Sequence, residues 1–321
     1  MTEEHNTMSW DWARAAVCAA LLGVAGLLFC LPAAAQTADA QTAGFDQNPK
    51  LRVLVDKVLM ASNDWVMTAE HVREIAAAGF NVLSPRRGND DLAEVRRIAG
   101  LAGENGMRHM PWMRGTLLVP EDEPADSGKR LVWADGTQQD LYSPNADELW
   151  AWMTTRILGY ARISADEPAL MGVFLDFENY APGGQSNAYA LSYDATILGQ
   201  FARVRDLDIP DLPLQERRRW LENNGHDEAF SAFQVDEWRQ RCRQLRQDVD
   251  EINPAFQFCV YPAPGTFFIE KAVWPEWTSS RAPLILADAT TYGRPAGLLP
   301  HDEALIANRR RLEPRPLRVD V

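Results

Sequence analysis

From residue 51 onward the chain alternates short apolar runs with amphipathic segments of helical period, which leaves few architectures open. Apolar runs at 51–60, 80–86, 107–115, 170–180, 256–263 and 283–292 read as six strands, and 68–78, 90–105, 147–163, 228–252 and 301–311 read as helices. Thr68 supplies a helix cap, and Gly79 and Gly106 follow helix ends, as stop signals do. Strands joined through helices pair in parallel. A sheet of this kind in a 321-residue chain predicts an α/β fold of the TIM-type (β/α) barrel. No Gly-rich phosphate loop follows any strand, which counts against a nucleotide cofactor. Six strands fall short of eight, so the barrel is expected to be incomplete at its C-terminus. Residues 313–321 are expected to form an irregular tail, because Pro314 and Pro316 resist ladder pairing.

Two segments interrupt the alternation. Residues 117–142 centre on Ala134-Asp135-Gly136-Thr137, a hairpin turn signal, and follow the third strand. Residues 182–200, rich in Gly, Asn, Ser and Tyr, follow the fourth strand and are expected to line the cleft as a loop. Residues 208–220, with Pro210 and Pro213, read as a connector.

The N-terminus has a different character. An apolar segment at 13–35 contains Pro32 and ends in three alanines before Gln36. That pattern predicts a signal peptide over 1–35 with cleavage after Ala35, export to the periplasm or medium, and a linker over 36–50 before the barrel domain at 51–312. The same segment is nearly long enough to span a bilayer, so a membrane anchor is the alternative. Cys242 lies on the apolar stripe of a helix and Cys259 on the opposite side of the neighbouring strand, which predicts two buried thiols and no disulfide. A net charge of −13 argues against nucleic acid as a partner. No membrane partner is expected after cleavage, and the oligomeric state is open.

The chemistry concentrates in residues 170–180, LMGVFLDFENY. Alternation along a strand places Val173, Leu175 and Phe177 on one face and Phe174, Asp176 and Glu178 on the other. Two carboxylates at the C-terminal end of a buried strand are costly unless used, and that end is where barrel enzymes place their chemistry. The plainer reading is an ion pair serving the fold, with Arg86 or Arg114 as partner. Other strand ends bring Ser84, Arg86, Arg87, Trp112, Arg114, Asn179, Tyr180, Tyr261 and Tyr292 toward the same cleft. Leu284, Leu286 and Asp288 alternate as the acidic strand does, so Asp288 is expected to be a third inward acid. Carboxylates, aromatics and arginines together suit glycoside hydrolysis, with Glu178 as general acid, Asp176 and Asp288 as supporting carboxylates, and the remainder binding a carbohydrate. No cofactor and no metal are expected, because only His109 lies on a strand.

The run Gly172-Val173-Phe174-Leu175-Asp176-Phe177-Glu178-Asn179-Tyr180 resembles the fourth-strand motif of family 18 glycoside hydrolases, the chitinase type, D-G-x-D-x-D-x-E. Gly172, Asp176 and Glu178 match; Met171 and Phe174 stand where the motif has its first two acids. The resemblance implies a barrel glycosidase in which Glu178 is the acid, Asp176 positions an acetamido group, and Tyr261 corresponds loosely to the family's tyrosine. A non-catalytic or degenerate sugar-binding barrel and a metal-dependent hydrolase using Asp176, Glu178, Asp288 and a histidine are the alternatives.

Overall fold

The computed structural model describes residues 51, 53–56, 66–179, 191–263, 267–288 and 319–320. All of them fall in one unit, Pro49–Val321. The expected leader and linker at 1–50, the expected helix at 301–311, Tyr180 and Tyr292 lie outside the described residues.

Each of the six expected strands has a counterpart. They are β1 (Val53–Asp56), β2 (Val82–Pro85), the pair β3 (Arg108–His109) and β4 (Trp112–Arg114), β7 (Gly172–Asp176), β8 (Gln257–Ala263) and β9 (Leu284–Asp288). The third strand is divided at Met110-Pro111, since proline has no N–H to continue the ladder. Its halves fall in two sheets that single bonds across the break hold side by side. The His109 amide donates to Ala169 O at 2.8 Å, His109 O accepts from Met171 N at 3.0 Å, and Pro111 O accepts from Phe174 N at 3.0 Å. The described strands form two parallel sheets, β1-β2-β3 and β4-β7-β8-β9-β10 (Val319–Asp320), and within each the order follows the chain. A doubly wound sheet reverses its order partway, whereas order that follows the chain resembles the winding of a (β/α) barrel. Among the described residues no closed barrel forms.

Within the span 313–321, expected to be irregular, the described residues 319–320 form the strand β10. Val319 and Asp320 pair in parallel with Leu284 and Ile285. Pro314 and Pro316 precede this pair, so they take no donor from it.

The helices follow from caps and period. In α1 (Ala69–Ala77) the Thr68 hydroxyl accepts from His71 N at 3.3 Å while His71 Nδ1 accepts from Thr68 N at 3.2 Å, a reciprocal cap that satisfies two end donors. In α2 (Leu92–Glu104) Asp91 accepts from Ala93 N at 2.9 Å. Two long helices, α3 (Asp147–Asp166) and α6 (Asp227–Ile252), pack on each other and on the sheet. Trp238, Cys242, Leu245 and Val249 of α6 are buried at the expected spacing. Two segments are more ordered than the sequence suggested. The stretch 182–200, read as a loop, ends in α4 (Ala195–Arg205), capped by Asp194, and the connector 208–220 runs into α5 (Arg217–Asn223). Short helices α7 (Phe267–Ala272) and α8 (Trp274–Trp277) precede β9.

The expected hairpin forms from β5 (Arg130–Val132) and β6 (Gln138–Tyr142), paired antiparallel. Gly136 turns at φ 86°, and a Cβ there would also press on the backbone of Gln215, so this turn needs glycine twice over. Behind the hairpin, Gln234 Oε1 accepts from Asn145 Nδ2 at 2.9 Å and from Ser192 N at 3.0 Å, tying α6 to the segments on either side.

The main core lies between the sheet and α3, α6, α7 and α8. Val173, Leu175, Phe177, Phe258, Val260, Leu284 and Leu286 belong to it, with Trp238 and Trp277. Phe177 has its ring 6.1 Å from both tryptophans. Residues of opposite parity therefore face the other side of the sheet. Gly172 is fixed by contact as well: a Cβ there would collide with the Gln257 carbonyl of β8.

Candidate functional site

The inner face of the sheet carries the candidate chemistry at its C-terminal ends. Register places Trp112 beside Phe174 and Phe174 beside Cys259; one pleat further, Arg114 lies beside Asp176 and Asp176 beside Tyr261. Met113, Leu175 and Val260, the residues between, lie in the helix-facing core. The two rows therefore stand together on the opposite face.

Asp176 is the centre of the second row. Arg114 Nη1 donates to its Oδ2 at 2.7 Å, and the Glu178 amide donates to its Oδ1 at 2.8 Å. Its side chain is 7% exposed and that of Arg114 35%. Main-chain bonds hold the position: Gly115 N donates to Asp176 O at 2.8 Å and Phe177 N to Tyr261 O at 2.7 Å. Burial pushes the Asp176 carboxyl above its ordinary pKa; the Arg114 guanidinium opposes that rise, and the Glu178 charge adds to it. Glu178 lies two residues past the strand end and is half-buried, and Asn179 beside it is buried.

The first row is aromatic. Tyr261 stacks on Phe174 with centroids 6.1 Å apart and planes at 30°. The Arg86 guanidinium sits 4.2 Å over the Trp112 ring. Asn89 holds this corner, donating through Nδ2 to Pro85 O at 2.7 Å and Trp112 O at 2.8 Å, while Tyr160 donates its hydroxyl to Asn89 O at 2.6 Å. Asn89 and Phe174 were not among the residues singled out from sequence. Alternation through 170–180 already put Phe174 on the inner face; Asn89 bonds backbone carbonyls, which leave no trace in a sequence.

Asp288 was placed inward because it alternates with Leu284 and Leu286, but both leucines lie in the helix-facing core. That alternation gives no support for a third inward acid, and the Asp288 side chain lies outside what is described. His109, the strand histidine, pairs in register with Leu83, which packs toward α1 and α2. It is fully buried, and burial pulls its pKa down to about 3, with the Val95 backbone opposing. The imidazole is neutral near pH 7 and faces the helix layer. Cys242 and Cys259 are free and buried. Among the described residues no three His, Cys, Asp or Glu side chains gather as a metal cage would require.

No family model matches this chain, and no curated protein does. Solved structures similar to it include a β-galactosidase from the haloarchaeon Halorubrum lacusprofundi, at 15% identity and TM-score 0.44, covering 77% of this chain and 41% of that one. A β-galactosidase from Bacillus circulans sp. alkalophilus shares 11% identity at TM-score 0.49, with 82% and 42% covered. The glycoside hydrolase domain of PelA from Pseudomonas aeruginosa shares 15% at TM-score 0.33, with 80% and 79% covered. The chain spans about two fifths of the length of the two β-galactosidases. Likenesses at these TM-scores carry no argument; the strand order and the side chains of the inner rows are the basis for a function.

Proposed function

We propose that this chain is an exported glycoside hydrolase of (β/α)-barrel type. The observation that supports it is the inner row Arg114–Asp176–Tyr261 at the C-terminal strand ends, with Glu178 following directly and bonded through its amide to Asp176. Glycoside hydrolysis needs one carboxyl to protonate the leaving oxygen and a second to support the cationic transition state or direct water. Glu178 fits the first task, because it is half-buried and directly follows the strand end. Asp176 fits the second, held in one position by Arg114 and the Glu178 amide. Tyr261 and Phe174, buried and stacked on each other, add an aromatic surround beside the carboxylates.

The resemblance to the family 18 motif is narrower support. Its match at Gly172 has a structural cause, since no side chain fits against Gln257 O. Asp176 and Glu178 remain as the matches that chemistry would select, which favours glycoside hydrolysis in general over N-acetyl sugars in particular. Export rests on the apolar leader at 13–35, and the N-terminal residue of the mature protein tests it.

The full chain incubated with a panel of chromogenic glycosides is the deciding experiment. Turnover should fall by ~10²–10⁴ in Glu178→Gln, the usual cost of removing a general acid. Unchanged turnover in that variant would overturn the assignment. The non-catalytic reading draws support from Asp176 already being satisfied by Arg114; glycan binding without turnover in the unmodified chain would favour it.

A further inference from the structure

We propose that the glycan taken by this cleft is anionic and that Arg86 receives its carboxylate or sulfate group, an inference that rests on the carbohydrate reading above. Arg86 directly follows β2 with the parity of Ser84, is half-buried, and lies 4.2 Å over the Trp112 ring. The ring orients the guanidinium through its quadrupole but carries no net charge, so among the described residues the cation has no counter-charge.

Elsewhere in the molecule buried and half-buried arginines are matched. Arg130 faces Asp140 at 3.1 Å, Arg156 faces Asp90 at 3.0 Å, Arg241 faces Asp147 at 2.8 Å, and Arg246 faces Asp250 at 2.7 Å. Arg108 and Arg217 direct their donors to backbone carbonyls. Arg86 has neither kind of partner among the described residues, only the indole face. In a chain of net charge −13, such a cation is the exception.

Its position links the charge to substrate. Trp112 and Arg114 share one face two residues apart, about 7 Å along the strand, so Arg86 stands near the Arg114–Asp176 pair. The mounting is rigid, because Asn89 fixes the Trp112 carbonyl and Tyr160 fixes Asn89. A guanidinium held in place loses little freedom when it grips a planar anion with two parallel hydrogen bonds. Arg86 also covers one face of Trp112, which makes this corner an anion seat more than a sugar platform.

The test measures binding of matched polymers to the full chain: polygalacturonate against its methyl ester, and a sulfated galactan against its desulfated form. At least one anionic member should bind about tenfold tighter than its neutral counterpart, the scale of one charge-assisted bidentate contact. The arm showing the preference identifies the group as carboxylate or sulfate. Arg86→Gln should reduce the preference to about twofold, and Arg86→Lys should retain only part of it, because an ammonium cannot make the paired planar contact, with melting unchanged in both. Equal affinity within both pairs overturns the inference with no variant needed, and so does a folded Arg86→Gln that keeps the full preference. Neutral glycans bound and cleaved while anionic ones are not would sink this inference alone. Absence of binding and cleavage for every glycan would sink the hydrolase reading with it.

Discussion

Replacing Arg114 by Met retains most of the aliphatic stem and removes the cation that Asp176 faces at 2.7 Å. The carboxylate would keep one donor, the Glu178 amide, and lose the other. Breaking a buried pair by deleting one member costs about 3–5 kcal/mol, whereas exposed pairs contribute about 0–1 kcal/mol. Asp176 is 7% exposed and Arg114 35%, so an intermediate value applies, about 2 kcal/mol or a drop of about 4–8 °C in Tm. The loss has a defined pH dependence. Burial already holds Asp176 above its ordinary pKa, and Arg114 opposes that rise, so the variant's carboxyl titrates higher still. A carboxyl whose folded pKa exceeds its unfolded value binds more protons when folded, and stability then falls as pH rises between the two values. The penalty is therefore full above the variant's Asp176 pKa and shrinks as pH falls through it toward about 4, the unfolded value. Urea unfolding at pH 5 and pH 8 measures this directly, and the Arg114→Met loss should be larger at pH 8. Adding Asp176→Asn removes the stranded charge and should restore part of the stability at pH 8. Equal losses at both pH values, with no relief in the double variant, would refute the account of this pair.

The remaining predictions concern the frame around the site. Gly172→Ala places a methyl group against the Gln257 carbonyl within the sheet and should cost more than about 3 kcal/mol, read as insoluble or early-melting protein, while Gly100→Ala, with open space around it on α2, should raise Tm slightly. Gln234→Leu strips the acceptor from Asn145 Nδ2 and Ser192 N, both buried, and should cost about 2–4 kcal/mol while speeding proteolysis within the hairpin at 130–142; unchanged cleavage there would mean the hairpin is held by other contacts.

How far the sequence could be read depended on whether a strand differs between its two faces. In β7 the helix side is Val173, Leu175 and Phe177 and the other side ends in acids, so one alternation assigned both faces. In β9 Leu284, Ile285 and Leu286 are all buried, because a central parallel strand is covered on both sides and shows no contrast from which to read parity. Asp288 was placed by analogy with β7, and on β9 that analogy has no contrast between faces to rest on. The winding order was legible because most apolar runs are followed by a segment of helical period. The seventh strand was not, since two residues of β10 carry too little pattern to detect.

The site divides in the same way. Its carboxylates were visible as an interruption of an apolar run, whereas the contacts that give them character are long-range. Arg114 and Asp176 are 62 residues apart and Asn89 and Tyr160 are 71 apart. Sequence could offer the ion pair and the working acid only as rival readings of Asp176. The geometry makes them compatible: the contact with Arg114 that secures the strand end also fixes one carboxylate and leaves Glu178, bonded to it through the backbone, at the mouth of the sheet. A pair that served the fold alone would need neither the second acid nor an Arg86 that, among the described residues, has no counter-charge. Those two residues therefore carry the functional reading, and variants at Glu178 and Arg86 test it more sharply than any change to the pair itself.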